Sequence, residues 1–375
     1  MTLSIDDFRP YTGETLARLK RLAEIESPST SKAAVDRLGR LIADDLAALE
    51  ATISIHRQTT VGDHVEARWG AGPGGILVLC HMDTVHELGA LARFPVRESD
   101  GRLHGPGTED MKGGIAIFMT AVRGLRESRA WPSRPLTALI TSDEEIGSST
   151  SRALIENLAR SAALVLCLEP ALAGGKLKTA RKGTGSIQLV ARGRAAHAGA
   201  AHEQGRNAIE ELAYHILAAQ RLTDYANGTT ANVGVVRGGT RPNVVPEEAR
   251  AEVDLRIISQ SEAERLSVWA AGLRPVLEGT SITARVEFDR PPMPRDANMA
   301  ATFEKAQGIA GQLGLVLEEG ATGGGSDANF VAPLGVPVLD GLGVCGDGAH
   351  SEREYIEIES LPERTALLAE LIRAW

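Results

Sequence analysis

Gly75-Ile76-Leu77-Val78-Leu79-Cys80-His81-Met82-Asp83-Thr84-Val85 is the stretch whose reading decides the fold. The apolar run up to Leu79 reads as a strand buried on both faces, as in a parallel sheet. Residues two apart in an extended chain point to the same side, so His81 and Asp83 leave the strand end together. A neutral imidazole is a good zinc ligand, and a neighbouring carboxylate can orient it or tune the site. In open α/β sheets ligands gather at the carboxyl ends of the strands, where this pair belongs. A lone His-x-Asp also fits a polar strand end with no chemistry, so the rest of the chain must decide.

The chain has 375 residues, enough for two domains with a sizeable core; 43% are hydrophobic and 24% charged. A net charge of −9 argues against nucleic acid or an anionic membrane as the main partner. It leaves room for an anionic substrate, because a few arginines or lysines can make a local positive pocket. Three cysteines, Cys80, Cys167 and Cys345, are not a disulfide framework and point to a reducing compartment. The start, Met1 to Asp7, is acidic and lacks the apolar region of a signal peptide, and no stretch is apolar enough to span a membrane. The expected location is the cytoplasm.

Along the chain, helical spacing over 13–24 and 35–46 is followed by strand patterns at 52–56, 65–69 and 76–79. A hairpin turning at Asp100-Gly101 leads to the glycine-rich loop His104–Gly114, which opens into an apolar helix over 115–125. Buried strands at 136–140 and 164–168 end in Thr141-Ser142-Asp143-Glu144-Glu145 and in Glu169-Pro170. This alternation predicts an α/β domain with a mostly parallel sheet and helices on both faces. The character then changes. Strand 186–192, helix 207–222, strands 232–237 and 249–257, helix 262–277 and strand 281–288 follow the β-α-β-β-α-β order of a ferredoxin-like α+β unit. The first character returns with helix 299–313, strand 336–339 and helix 361–372. The expected organisation is residues 1–180 and 290–375 as a catalytic domain, interrupted by an inserted lid and dimerisation domain at 181–289.

Four strand ends or adjoining loops carry His81 with Asp83, Asp110, Glu144 with Glu145, and Glu169; a late loop adds His350. Converging at one sheet edge, two histidines and several carboxylates form a nitrogen and oxygen set suited to zinc, with cobalt or manganese as alternatives. Two metals need a bridging carboxylate, and a further carboxylate off the metals can serve as base. The adjacent pair Glu144-Glu145 can divide those duties, because neighbouring side chains diverge.

The motifs His-Met-Asp-Thr-Val, Gly-Pro-Gly-Thr-Glu-Asp-Met-Lys-Gly-Gly, Ser-Asp-Glu-Glu-Ile-Gly, Leu-Glu-Pro and Ala-His-Ser occur in that order. Together they resemble the two-zinc metallopeptidases that include glutamate carboxypeptidase (carboxypeptidase G type), acetylornithine deacetylase, succinyl-diaminopimelate desuccinylase and aminoacylase. The resemblance covers nearly the whole chain. It implies two Zn2+ ions, one held by His81 and Glu169, the other by Glu145 and His350, with Asp110 bridging and the Asp110-Met111 peptide cis. It further implies that Asp83 supports His81 and that Glu144 moves the proton from water to the leaving nitrogen. In the inserted domain, Gly193-Arg194-Ala195-Ala196-His197-Ala198-Gly199 resembles a loop whose histidine enters the partner subunit's site, so His197 would stabilise the developing oxyanion in a homodimer. By the same resemblance Asn243 is a second donor near the substrate, Arg256 clamps its α-carboxylate, and the lid closes about hinges near Arg181 and Arg290.

The segments around Lys182, Arg290 and Gly324 resemble glutamate carboxypeptidase more than the deacetylases, placing Lys182 and Arg290 near a glutamate-like group. The reading is therefore a metallocarboxypeptidase hydrolase that releases a C-terminal amino acid, glutamate or a similar one, from a peptidyl or N-acyl substrate. An N-acyl amino acid deacylase or desuccinylase is the alternative. A non-catalytic binding protein on this scaffold would have lost a ligand or the base, and none is lost. The remaining candidates have plainer readings: Cys80 is a buried hydrophobe, Glu109 has no catalytic duty, His86 is a surface or core histidine, and Asp327 caps a helix starting at Ala328.

Overall fold

The computed structural model describes residues 3–375; Met1 and Thr2, at the head of the acidic N-terminus, lie outside them. Two compact units account for the chain. One takes the chain up to Ala180 with Arg295–Ala321 and Ser326–Trp375; the other is Arg181–Pro294 with Thr322–Gly325.

The first unit is α/β. Its six-stranded sheet runs in the order Thr52–His56, His64–Trp69, Leu136–Thr141, Gly75–His81, Ala162–Cys167, Val338–Leu339. The last four strands are parallel, and the first two add antiparallel pairs at one edge. Strand Gly75–His81 pairs on both sides, and every residue from Ile76 to His81 is buried. That explains its unbroken apolar sequence, since both faces of a central parallel strand are covered. Ile76, Val78 and Cys80 share one core cluster with Ile115 and Phe118 of helix Gly113–Glu127 and Leu367 and Leu371 of helix Leu361–Ala374. Cys80 therefore turns away from His81, as its register predicts. The hairpin of Arg97–Ser99 with Arg102–His104 turns through Asp100 and Gly101, both at positive φ (52° and 74°), the conformation that favours Asp-Gly in a two-residue turn.

The second unit carries a four-stranded antiparallel sheet ordered Thr230–Gly238, Glu248–Ile257, Gly183–Arg192, Ser281–Arg290. Helices Ala208–Gln220 and Gln260–Ala271 join its strands in β-α-β-β-α-β order. Its core gathers Ile187, Leu189, Val253 and Leu255 from the sheet with Leu212 and Leu266 from the helices. The second helix stops at Ala271, six residues before the end expected from sequence. Gly272 ends it and Pro275, which has no N–H to donate, forbids its continuation. Where the chain passes between the units, Leu177–Arg181 pairs with Glu319–Thr322 in a ribbon that the sequence pattern did not reveal. Among the described residues no helix is long and apolar enough to cross a membrane.

Candidate metal centre

Neighbouring parallel strands deliver the donors. His81 is the last residue of Gly75–His81, Glu144 and Glu145 form a single helical turn just past Leu136–Thr141, and Glu169 follows Ala162–Cys167 by two residues. Asp110 sits in the turn that leads into helix Gly113–Glu127, and the Asp110-Met111 peptide is cis. His350 lies in the loop after Gly346–Asp347, at a positive φ of 63°.

These side chains converge into two groups of three, His81–Asp110–Glu169 and Asp110–Glu145–His350, whose donor atoms lie within 4.8 Å of one another in each group. Asp110 belongs to both. Its Oδ1 is 3.0 Å from His81 Nε2, and its Oδ2 is 3.3 Å from His350 Nε2. Glu169 Oε1 lies 3.6 Å from His81 Nε2, and Glu145 Oε2 lies 3.2 Å from His350 Nε2. His81 Nδ1 donates to the Asp83 carbonyl at 3.0 Å, which in the neutral ring leaves the Nε2 lone pair to a metal. The donor set of two imidazoles and three carboxylates, one shared, fits two divalent ions of the zinc type.

The electrostatics favour positive charge here. Burial works to lower the His81 imidazole pKa, but hydrogen bonds to Asp110, Asp83 and Glu169 raise it well above the usual value. Asp110 and Glu145 push His350 up to about 11. Burial works to raise the Asp110 carboxyl, and the two histidines outweigh it and hold the carboxyl below its usual range. Burial raises the Glu145 carboxyl despite its contact with His350.

Asp83 ties the two halves of the centre together. It is buried; Ser29 Oγ donates to its Oδ2 at 2.7 Å, and the N–H groups of Glu144 and Glu145 donate to Oδ1 and Oδ2 at 3.3 and 3.2 Å. Its carbonyl holds the imidazole, and its carboxylate holds the Glu144-Glu145 turn. Glu144 is buried and stands in neither donor group.

The sequence model of Peptidase family M20/M25/M40 matches residues 77–374. The chain belongs to this family. Carboxypeptidase G2 of Pseudomonas sp. (strain RS-16) is 31% identical over 362 residues, covering 94% of this chain and 87% of that one. A succinyl-diaminopimelate desuccinylase of Rhodospirillum centenum is 29% identical over 337 residues, covering 84% of each. Among solved structures, aminopeptidase PepT of Bacillus cereus superposes with a TM-score of 0.78 at 23% identity, covering 96% of this chain and 98% of that one. The M20 metallo-carboxypeptidase Sso-CP2 of Sulfolobus solfataricus superposes at 0.74 and 18% identity, with coverage of 96% and 98%. The M20/M25/M40 chain is thus a metallopeptidase or amidohydrolase.

The other expected site residues of this M20/M25/M40 peptidase lie in the second unit. His197 pairs with Val244 in a short antiparallel ladder, and the Asn243 carbonyl accepts the Ala198 N–H at 3.0 Å. His197 and Asn243 are both exposed. The His197 Nδ1 accepts N–H groups from Gly199 and Ala200 at 3.1 and 3.0 Å. In the neutral ring the proton is then on Nε2, which makes the outward nitrogen a donor. Arg256 makes a two-pronged contact with Asp254 at 3.0 and 3.1 Å, so its fork already faces a carboxylate. Arg290 is buried, Lys182 is half-buried and Gly324 is exposed.

Two further residues, Lys178 and Glu354, escaped sequence reasoning, and Arg181 was expected only as a hinge. Buried Arg181 donates from Nη1 to the Gly324 and Gly325 carbonyls at 3.1 and 2.9 Å. Its neighbour Lys182, just past the end of the strand, is half-buried. Lys178, in the first unit, brings its ammonium within 3.9 Å of Glu169 Oε2. Glu354 accepts N–H groups from the Asp110 turn. Asp327, expected to cap the helix at Ala328, makes no cap bond; it accepts hydrogen bonds from Ser148 and Thr141 beneath the Glu144 turn.

Proposed function

We propose that the protein is a two-zinc metallocarboxypeptidase that releases a C-terminal amino acid, glutamate, from peptidyl or N-acyl substrates. The observation that carries this reading is the pair of three-donor groups sharing Asp110, with Glu144 next to them and outside both. In it His81, Asp110 and Glu169 hold one ion, and Asp110, Glu145 and His350 the other. Two bound zinc ions would acidify a water and polarise the scissile carbonyl. Glu144 accepts the proton of the attacking water and passes it to the leaving nitrogen, a shuttle for which a buried carboxylate on a rigid turn is suited. Asp83 keeps that turn and the His81 ring in place. His197, whose Nε2 is the donor, and Asn243 stabilise the oxyanion, and Arg256 binds the substrate α-carboxylate by exchange with Asp254.

The glutamate preference draws support from the kinship with carboxypeptidase G2, and in this reading Lys182 and Arg290 are the cations for the side-chain carboxylate. The desuccinylase relatives support the second reading, an N-acyl amino acid deacylase or desuccinylase. The homodimer reading draws support from the second unit, whose edge strand Thr230–Gly238 has no strand beside it on one side among the described residues and exposes Val235 and Val236. A panel of Glu-terminal dipeptides and N-acyl amino acids separates the two substrate readings: preference for acetylated or succinylated basic substrates contradicts the first. Glu144→Ala is expected to abolish turnover with both zinc ions retained; near-normal kcat would remove Glu144 from the mechanism.

A further inference from the structure

We infer that Glu354 is a positioning residue that holds the Asp110 turn and the His350 loop together and so sets the affinity of the second metal site. The inference rests on the two-metal reading above. Glu354 is a charged side chain only 1% exposed, four residues beyond His350. Its Oε1 accepts the N–H groups of Glu109 and Asp110 at 2.8 and 3.0 Å. Its Oε2 accepts the Gly107 N–H at 2.9 Å and lies 2.9 Å from His86 Nε2. Three of the four N–H groups from Gly107 to Asp110 thus aim at a single carboxylate. Such a nest of N–H groups is an anion site, and here the anion belongs to the chain itself. Bonds from N–H to a buried carboxylate are charge-assisted and short, so they fix the turn more firmly than neutral bonds would.

The backbone around Glu354 completes the link. Its carbonyl accepts the Gly105 N–H at 3.4 Å, its N–H donates to the Ser351 carbonyl at 3.2 Å, and Tyr355 pairs with His104. The Asp110 turn is thereby fastened to the segment that begins with His350. Among the described residues no hydrogen bond or ion pair joins Glu354 to a donor atom of either metal group; it acts through the main chain of Asp110 and through the short loop back to His350. The consequence is unequal. The group Asp110–Glu145–His350 draws two of its three ligands from the segments that Glu354 joins, whereas His81–Asp110–Glu169 draws one. Loosening Glu354 therefore weakens the second site more than the first.

The test uses the whole protein, stripped with a chelator and titrated with Zn2+ against a chromophoric competitor, wild type beside Glu354→Gln. The amide keeps one acceptor but opposes an NH2 group to N–H donors on its other side. The expected result is two equivalents in both proteins, with the weaker one in Glu354→Gln weakened roughly ten- to hundredfold and the tighter one changed far less, a scale common for groups that orient metal ligands. At limiting zinc kcat falls with KM unchanged, and excess zinc restores it. Unchanged affinities, or equal loss of both equivalents, would overturn the inference. Fewer than two equivalents in the wild type would overturn the two-metal reading instead. If Glu354→Gln does not fold, Glu354→Asp keeps the charge but shortens the side chain and draws the carboxylate off the three N–H groups; a selective weakening of the second equivalent supports the role, and no change overturns it.

Discussion

Replacing Asp83 by asparagine removes one charge and almost no volume. Three donors hydrogen-bond the carboxylate: the Ser29 hydroxyl and the N–H groups of Glu144 and Glu145. An amide offers one acceptor oxygen, so its NH2 must oppose one of them. The Ser29 hydroxyl can rotate and accept, which draws the NH2 to that side and strands the Glu145 N–H. A buried donor without an acceptor costs about 1–3 kcal/mol. At about 1.4 kcal/mol per tenfold, that is several-fold to roughly a hundredfold, the same range seen when groups orienting metal ligands are changed. The expected result is kcat reduced ten- to a hundredfold with KM nearly unchanged, because the displaced turn carries Glu144, the proposed base, and Glu145, a proposed metal ligand. Asp83→Ala, which strands all three donors, loses more. The assay is steady-state turnover at saturating zinc, with a zinc titration and circular dichroism on the same samples. If Asp83→Asn keeps wild-type kcat and zinc affinity, the carboxylate does not hold the turn.

Further outcomes follow from other parts of the molecule. A Cβ at Gly343 would overlap the Leu168 carbonyl and lie 2.7 Å from the Glu169 carbonyl, so Gly343→Ala shifts Glu169; at least about tenfold weaker zinc binding is expected, and unaltered binding would contradict it. Burial works to raise the Asp63 carboxyl, but Lys32, the Gln58 N–H and Arg57 bring it down from 3.8 to about 2. A depressed carboxylate stabilises the fold above its unfolded pKa and loses that effect as pH falls through its folded one. Asp63→Asn should thus cost about 2 kcal/mol in urea unfolding near neutral pH, with the gap closing between about pH 4 and 2; a gap independent of pH would refute this. Val236→Lys on the exposed edge strand should turn a dimer into a monomer by light scattering and lower kcat if His197 acts in trans; a fully active monomer excludes the trans role.

The α/β unit was legible because its signals are local. Ile76 to Leu79 is apolar on both faces, and the polar residues that follow it have no use in a core. Strand ends then place His81, Glu145 and Glu169 together through sheet order alone, and Asp110 follows from the glycine-rich turn. What stayed hidden depends on contacts between distant segments. Glu354 and Ser29 carry no pattern in sequence, and their importance lies in N–H and carboxylate groups that only the fold brings together. Arg181 and Lys182 are adjacent cations, and only the fold, in which Arg181 meets the Gly324 and Gly325 carbonyls, shows which one is buried. The helix expected through 277 ends at Ala271: apolar spacing continues past it, but Pro275 has no N–H with which to continue a helix. Arg256 reads in sequence as a carboxylate clamp, and the partner that meets it, Asp254, stands two residues away on the same face.

The most direct test of the central claim is an anomalous difference map recorded at the zinc edge from crystals of the zinc-loaded protein. The account predicts two peaks, one among His81, Asp110 and Glu169 and one among Asp110, Glu145 and His350, about 3.5–4 Å apart with Asp110 between them. A single peak, or peaks away from Asp110, would contradict it.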